Sequence, residues 1–364
     1  MLRYLFAFIL LIHGLIHFMG FSKAFGFAEM KQLSLPISRQ AGIIWLITGL
    51  LFIVTIILFL SKYNYWWIAG IIAVILSQLL IFNAWNDAKF GTIANLLILV
   101  VCITGYTSWN FEKKFITDVT DNLKSTNVTE NTLVTEKDLE HLPNLVKKYL
   151  RYTGVLNKPK VKNIKIEFQG EMRDKGKSWF PFTSEQYNFF DSPTRLFFMK
   201  AKIYGITVPG YHAYQNNSAS MQIKLFGLFP IVNIKGQSLF QAETVTIFND
   251  MCLMAPATLI DKRIQWQEID SFSIKAIFTN NNTSISAILQ FNEKGELINF
   301  ISDDRIAVAD MKKYRFSTPI NNYQNINGFM LGTYGEAIWH YPDGNFIYGK
   351  FNLKNVEYNV TKKN

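Results

Sequence analysis

Long apolar runs and alternating runs divide the chain into two parts. Four uncharged segments occur at residues 4–21, 41–60, 65–84 and 90–109, and each has about the 20 residues that a helix needs to cross the hydrocarbon of a bilayer. Beyond residue 154 the apolar positions recur at every second residue, which is the spacing of half-buried strands. The pattern therefore predicts an all-α four-helix transmembrane bundle followed by a β-rich domain.

The first apolar segment is predicted to be a retained helix. Arg3 precedes it as in a signal peptide, but no small-residue cleavage pattern follows and three more apolar segments do. Four crossings would place both ends of the chain on one side of the membrane. The count of lysine and arginine gives no orientation, since four lie on each side: Lys23, Lys31, Arg39 and Lys89 against Arg3, Lys62, Lys113 and Lys114.

Polar side chains inside the apolar segments form a predicted intramembrane cluster of four residues: His13, His17, Gln78 and Asn95. Burying such groups in hydrocarbon is costly unless they face a partner. Two imidazoles one helical turn apart are a known arrangement of metal or haem ligands. No cysteine, glutamate or third histidine lies at the same depth, so we favour hydrogen bonds between helices that hold the bundle together, and we predict no metal and no cofactor.

The polar part of the chain divides further. Residues 111–140 are rich in Lys, Glu, Asp, Thr and Asn, so we expect a polar linker or a poorly packed helical extension between a domain at 1–110 and another at 141–364. In the second domain, alternation at 164–168, 221–225 and 285–289 predicts strands, separated by the turn signals of consecutive hairpins.

One segment within the strand region has helical spacing instead. Residues 239–251 fit a helix, and 254–260 fit a short second turn. The prediction is an α+β domain of about ten strands in a strongly curved antiparallel half-barrel, covered by one or two helices. The runs 187–190 and 196–199 are apolar on both faces, so a second layer, a bound lipid or a membrane surface is expected on each side of the sheet.

Charge changes the list of expected partners. The chain has 37 basic and 27 acidic residues, a net charge of +10, and eight of the charged residues fall in residues 1–110. A dispersed basic excess beside a bilayer indicates attraction to anionic lipid head groups. No nucleic-acid recognition motif or basic helix is present, so nucleic acid is not an expected partner.

Searches for catalytic motifs leave only carboxylates. The sequence lacks a nucleophile elbow and phosphate-binding loops. The histidines of the polar half are far apart and lack the spacing of metal ligands. Glu243 and Glu336 could in principle do acid–base work, but ion pairs and exposed strand positions explain such carboxylates more simply. An enzyme is therefore the least favoured class.

Several motifs resemble an uncharacterised bacterial domain family over nearly all of residues 141–360. They include Trp179-Phe180-Pro181-Phe182, Gln186, Gly236 with Glu243, Ala255-Pro256-Ala257, Asp304-Arg305 and Gly335-Glu336-Ala337-Ile338-Trp339. The hairpins with a covering helix are also similar to the half-barrels of LolA- and LolB-like lipoprotein carriers. That resemblance implies an extracytoplasmic domain with an apolar concavity. The candidate ligand-binding residues, all within these motifs, are Trp179, Phe182, Gln186, Glu243, Arg305, Glu336 and Trp339.

The sequence thus supports a multi-pass protein of the bacterial inner membrane whose extracytoplasmic domain binds a lipid or another apolar ligand. The alternative is an interaction or assembly module in an envelope complex, with an envelope protein as partner. A cavity within the sheet domain would favour the first hypothesis, and a large flat apolar face without a cavity would favour the second.

Overall fold

A computed structural model describes residues 2–126 and 132–363. The chain forms two compact units. One contains residues 1–111 with 226–228, and the other contains residues 112–225 with 229–364. The predicted linker at 111–140 includes residues 127–131, which lie outside the described residues.

The helices of the described chain are α1 to α8, in chain order Leu2–Phe25, Arg39–Leu60, Trp66–Asn83, Trp85–Ala88, Gly91–Ser125, Glu136–Leu139, Asn144–Thr153 and Gln237–Met254. A short 3₁₀ helix follows α8 at Pro256–Ile260. Within the described residues, α1, α2, α3 and α5 are long and apolar enough to cross a membrane. These four helices cover the four predicted apolar segments to within one residue at each end, and α5 continues beyond its segment to Ser125.

Small residues allow α1 and α2 to pack closely. The backbone of Gly20 lies against the indole of Trp45, and an added Cβ would overlap that ring. Gly14 and Gly49 face each other across the same contact, as small residues do between membrane helices. Large apolar side chains remain exposed on the outside of the bundle, which is the surface that a lipid environment requires.

Fifteen strands occur in the described chain, numbered β1 to β15. Their bounds are Asn163–Met172, Phe180–Phe189, Thr194–Ile203, Ile206–Gln215, Ser218–Leu225, Phe229–Lys235, Ile264–Glu268, Ser273–Asn280, Thr283–Phe291, Leu297–Ser302, Ile306–Ala307, Lys312–Lys313, Arg315–Ile326, Phe329–Tyr341 and Gly344–Tyr358. Thirteen of them form one antiparallel sheet in the order β6-β5-β4-β3-β2-β1-β15-β14-β13-β10-β9-β8-β7, and β11 pairs with β12.

Hairpins build most of this sheet, as the turn signals predict. Asn216 and Asn217 both have positive φ between β4 and β5, which is the conformation of a two-residue hairpin turn. The two halves of the sheet meet where β1 pairs with β15, with Ile164 opposite Tyr358. The sheet has two unpaired edges, β6 and β7, so it is open. The predicted class, a helical bundle followed by an antiparallel sheet domain, is confirmed.

Helix α8 covers one face of the sheet. Nearly all of its residues are buried, and Phe248 stacks on Phe278 of β8 with ring centroids 5.2 Å apart. Tyr149 of α7 is fully buried beside it and donates a hydrogen bond to the carbonyl of Cys252 at 2.7 Å. A helix buried on most sides has no exposed polar face, so the polar residues of α8, among them Glu243 and Asn249, are themselves buried.

The segment 112–125 differs from the predicted polar linker. It is the second part of α5, and Phe115, Val119 and Leu123 are buried within the sheet unit. The ring of Phe115 packs on Phe198 of β3 and on Tyr211 of β4, with centroids 5.3 and 5.6 Å apart. This helical segment is the second layer on the face opposite α8, and it explains why strands β2 and β3 are apolar on both sides.

Candidate functional site

A cavity of about 140 Å³ lies between α8 and the strands of the sheet unit. An engineered cavity of about 150 Å³ admits benzene, so this one has room for an apolar group of about six non-hydrogen atoms. Its lining is mainly apolar: Phe168, Met172, Phe197, Leu253, Met254, Phe316, Ile320, Ala337, Phe351 and Leu353.

The cavity follows from local sequence on both sides. Residues 243, 246, 250 and 253 of α8 line it, and their spacing places them on one helical face. On β14, Gly332 and Gly335 contribute no side chain to the lining. A Cβ at Gly332 would overlap the side chain of Ile320, so glycine is needed where these strands come close together.

A buried network of charged and amide groups forms the polar side of the cavity. The guanidinium of Arg195 donates to Asp250 Oδ2 at 2.9 Å, to Glu243 Oε2 at 3.0 Å and to Gln186 Oε1 at 3.0 Å. Gln186 and Asn188 each donate to Asp250 as well, at 2.7 and 3.0 Å. The side chains of Arg195 and Glu243 are each 8% exposed. Buried charges of this kind are tolerated when they are paired and hydrogen-bonded.

The protonation state of Glu243 follows from these partners. Burial raises the pKa of its carboxyl, but the Arg195 guanidinium, a hydrogen bond from His212 and the charge of Arg305 act against burial and lower the pKa to about 2. His212 Nδ1 lies 3.4 Å from Glu243 Oε1. Glu243 is therefore ionised at neutral pH, and its two carboxylate oxygens face Arg195 and His212. This arrangement is typical of a structural ion pair and not of a proton donor.

Arg305 is placed differently from Arg195. Its guanidinium carbon lies 3.9 Å from the ring centroid of Phe316 and 5.4 Å from that of Trp339, and the side chain lines the cavity. In the described part of the chain, no carboxylate lies within ion-pair distance of it. Half-buried and stacked on aromatic rings, it presents a guanidinium without an ion-pair partner at the cavity.

Five of the seven predicted ligand-binding residues lie in the cavity lining or in contact with it. Gln186, Glu243 and Arg305 line the cavity. Trp339 lies beneath Arg305, and Phe182 packs on the lining residue Phe351 with centroids 5.3 Å apart.

The other two predicted residues lie outside the lining. Trp179 lies between the cations of Arg173 and Lys350, at 4.4 and 4.7 Å from its ring centroid. Glu336 accepts a hydrogen bond from Tyr334 Oη at 2.8 Å. Neither residue contributes to the cavity.

The unpredicted residues of the lining include three polar side chains next to Glu243: Arg195, His212 and Asp250. A partial signal exists, since Glu243 and Asp250 are seven residues apart and share a helical face. Their common partner, Arg195, lies on a strand and can be found only from the strand register. That register places Asn188 opposite Arg195 and Phe197 opposite His212.

The four residues of the predicted intramembrane cluster are brought together by the bundle. His13 Nε2 lies 2.9 Å from Asn95 Oδ1, and Asn95 Nδ2 donates to Gln78 Oε1 at 3.1 Å. Ser77 joins His13 to His17, with Oγ 3.2 and 3.0 Å from their Nε2 atoms. Across residues 2–126 and 132–363, no group of three or more His, Cys, Asp or Glu side chains is arranged to hold a metal ion.

The protein thus has an apolar helical bundle and an open antiparallel sheet domain. The sheet domain contains a small cavity with charged side chains along one side. The chain belongs to DUF6544, a family of unknown function, whose model matches residues 132–351. The predicted membership of an uncharacterised domain family is thereby confirmed. A comparison with curated proteins gives no match.

Two solved structures are similar to the chain at low sequence identity. A LolA superfamily protein from Nitrosomonas europaea is 9% identical, with 59% of this chain and 91% of that chain covered and a TM-score of 0.35. A putative outer membrane lipoprotein-sorting protein domain from Vibrio parahaemolyticus is 10% identical, with coverages of 63% and 94% and a TM-score of 0.38.

Proposed function

We propose that this is a membrane-anchored protein whose sheet domain binds an apolar ligand carrying an acidic group. The observation that carries the proposal is the apolar cavity with the unpaired guanidinium of Arg305 in its lining. The alternative is that the sheet domain is an assembly module. A module of that kind would bind its partner through a flat apolar face and would not require a cavity.

The apolar part of the ligand is limited by the size of the cavity. At about 140 Å³ it encloses about six carbon atoms, the end of one acyl chain and not a whole lipid. Each methylene buried there contributes about 0.8 kcal/mol. The remainder of a longer chain would lie outside the enclosed volume.

The acidic part of the ligand is inferred from the partners of the two arginines. Arg195 forms ion pairs with both Glu243 and Asp250, whereas Arg305 has aromatic neighbours but no ion-pair partner in the described chain. A carboxylate or phosphate can form two parallel hydrogen bonds with a guanidinium. Arg305 is therefore the residue that would bind the head group.

The location that fits this function is the bacterial inner membrane, with the sheet domain on the envelope side. Four apolar helices support membrane association. The net charge of +10 would favour a membrane surface with anionic lipids. Membrane lipid is accordingly the nearest source of a ligand that is both apolar and acidic.

A chain-length series tests the proposal. Full-length protein in lipid nanodiscs is titrated by calorimetry with straight-chain carboxylates of 4 to 12 carbons. We expect the affinity to rise about fourfold per carbon up to about six carbons and then to level off. Primary alcohols of the same lengths should bind more weakly, because they cannot neutralise Arg305.

The Arg305→Gln variant, titrated with the same carboxylates and alcohols, tests whether Arg305 binds the acidic group. It should weaken carboxylate binding about tenfold or more, since hydrogen bonds to charged groups contribute about 1.5–3 kcal/mol, and it should leave alcohol binding unchanged. Arg315→Gln is the matched control, because Arg315 is exposed and paired with Asp303 at 2.9 Å. Absence of binding by both series would reject the ligand hypothesis and favour the assembly module.

A further inference from the structure

Two turns at one end of the sheet place aromatic residues in a backbone conformation that such residues rarely adopt. Tyr204 has a φ of 49° in the β3–β4 turn and Phe226 has a φ of 56° in the β5–β6 connection, and each is followed by a glycine with positive φ. In the β4–β5 turn the two positive-φ residues are Asn216 and Asn217, the residue type that such turns prefer. A bulky side chain at positive φ is an outlier that points to a role for that side chain.

The same end of the sheet carries an exposed apolar surface. Consecutive antiparallel strands reverse direction, so the β3–β4 and β5–β6 turns lie at one end and the β4–β5 turn lies at the other. Tyr204 is 98% exposed, and Phe229 and Ile231 of β6 are each 59% exposed. These three residues and the exposed Leu228 are called the turn patch below. Exposed apolar side chains grouped in this way mark an interaction surface.

The β5–β6 connection is held by the bundle unit. Residues 226–228 belong to that unit and not to the sheet unit. Thr107 Oγ1 donates a hydrogen bond to the carbonyl of Phe226 at 2.7 Å. An added Cβ on Gly227 would overlap the backbone of Ser108. The connection is therefore fixed at the end of the apolar segment of α5.

Aromatic rings of the bundle unit surround this end of the apolar segment. Three ring pairs with centroids 5.0 to 5.8 Å apart join Tyr65, Trp67, Tyr106 and Trp109. Tyrosine and tryptophan collect at the level of the lipid head groups, so these rings indicate the depth of the β5–β6 connection. The chain from Gly227 to Phe229 spans at most about 7 Å, and the turn patch thus begins at that depth.

The charge around the turn patch is positive. Residues 192–242, which include β3 to β6, contain five basic residues and no aspartate or glutamate. One of the five is the buried Arg195, and the others are Lys200, Lys202, Lys224 and Lys235. Lys202 is exposed on the strand that leads to Tyr204. Positive charge beside exposed aromatic residues is complementary to a bilayer surface with anionic lipids.

A strand of another protein is the other candidate occupant, because β6 is a free edge of the sheet. Pro230 lies between Phe229 and Ile231, and a proline on an edge strand opposes pairing because it has no N–H to donate. We propose that the turn patch docks on the bilayer surface, with Tyr204 and Phe229 in the head-group region and Lys202 attracting anionic lipids. The proposal rests on the membrane anchorage proposed above and not on ligand binding by the cavity.

The experiment measures the depth of spin labels on the full-length protein in nanodiscs that hold one copy each. The discs contain phosphatidylcholine with or without phosphatidylglycerol, and a nitroxide is attached at Tyr204→Cys. Its collisions with oxygen, which dissolves in lipid, are compared with its collisions with a water-soluble nickel chelate. The native cysteines, Cys102 and Cys252, are buried and are therefore poor sites for the label.

We expect nickel collisions to be severalfold fewer at position 204 than at Asn216→Cys, with the larger difference in anionic discs. Asn216 is the matched control, because it is also exposed and at positive φ in a turn, but at the opposite end of the strands. A label at Ile47→Cys, an exposed position in α2, tests the anchorage by itself. It should be protected from nickel in both lipid mixtures.

Variants assign the docking to the turn patch, with the label kept at position 204. Phe229→Ser combined with Ile231→Ser replaces two exposed side chains and should increase nickel access in both lipid mixtures. Lys202→Gln should lower the ratio of docked to undocked label about fivefold in anionic discs, the effect of one lysine near such a surface. In discs of phosphatidylcholine alone, Lys202→Gln should have no effect.

Four results would overturn the proposal. Equal nickel access at positions 204 and 216 would place the turn patch in water. Nickel access at position 47 would reject the anchorage and the docking with it, whereas protection at 47 without protection at 204 would reject the docking alone. Protection at 204 only in discs with two copies would identify a second copy of the chain as the occupant. Protection that persists in both sets of variants would show that these side chains do not hold the sheet at the bilayer.

Discussion

Arg195 connects three elements beneath the sheet cavity. From β3 it donates to Gln186 of β2 and to Glu243 and Asp250 of α8. Removing water from such charges is expensive, and their mutual attraction offsets the cost only while every partner is present. The pairing therefore fixes where α8 lies on the sheet more than it adds net stability.

Replacing Arg195 by methionine should destabilise the sheet unit by about 3–5 kcal/mol, because two buried carboxylates would lose the guanidinium with which they pair. Thermal unfolding followed by the loss of β-sheet circular dichroism should show a midpoint lower by about 10 °C. Arg315→Met is the control, since its exposed pair with Asp303 contributes about 1 kcal/mol or less. Equal shifts in the two variants would contradict this account.

The depressed pKa of Glu243 predicts an acid-labile contribution to stability. Its folded value of about 2 lies below the ordinary value of 4.5, so its contribution is complete above pH 4.5 and is lost as the pH falls toward 2. Over that window the unfolding midpoint should fall more steeply with pH in the wild type than in Glu243→Gln. Above pH 5 the two slopes should agree, and a difference confined to that higher range would contradict the assignment.

Sequence reasoning reached part of this site. Gln186, Glu243 and Arg305 were predicted from their motifs, and all three line the cavity. Arg195 and Asp250 were not, because an ion pair between a strand and a helix depends on register and on the helix placement, neither of which is visible in composition or period. Trp179 and Glu336 belong to equally distinctive motifs yet lie outside the lining, since a motif does not specify a strand face.

At the scale of elements, α5 is longer than the apolar segment at 90–109 that predicts it, because it continues to Ser125. Phe115, Val119 and Leu123 recur every four residues, which is a helical face, but the charged residues between them resemble a linker. The buried faces of β2 and β3 need this helix as a second layer. The strands and α8 are more readily predicted, because apolar residues recur at strand or helical spacing along them.

Phe115→Ala should destabilise the sheet unit by about 3–5 kcal/mol, since its buried ring contacts Tyr187, Phe198 and Tyr211 and would leave a cavity. The adjacent Ile116 is 38% exposed, so Ile116→Ala should cost less than about 1 kcal/mol. Chemical denaturation of both variants in nanodiscs measures the difference. If the two cost the same, residues 112–125 would not form a packed layer.

At the scale of the whole molecule, four crossings imply that the C-terminal residue and the start of α1 lie on the same side of the membrane. For the proposed envelope-side location, alkaline phosphatase fused to the C-terminus should be active in cells, and green fluorescent protein fused at the same place should be dark. The fusion pair placed at residue 63, in the α2–α3 loop, should give the same result. The reverse pattern at both sites would exclude the proposed location.

The meeting of β1 and β15 in the middle of the sheet has a consequence for synthesis. Strands β1 to β6 can form hairpins with their neighbours as they are made, but the free edge of β1 pairs with the last strand of the sheet. At about 5–20 residues per second, β15 follows β1 by about 10–40 s. During this interval the nascent chain presents an unprotected strand edge to other chains, so slow translation lengthens the period in which it can aggregate.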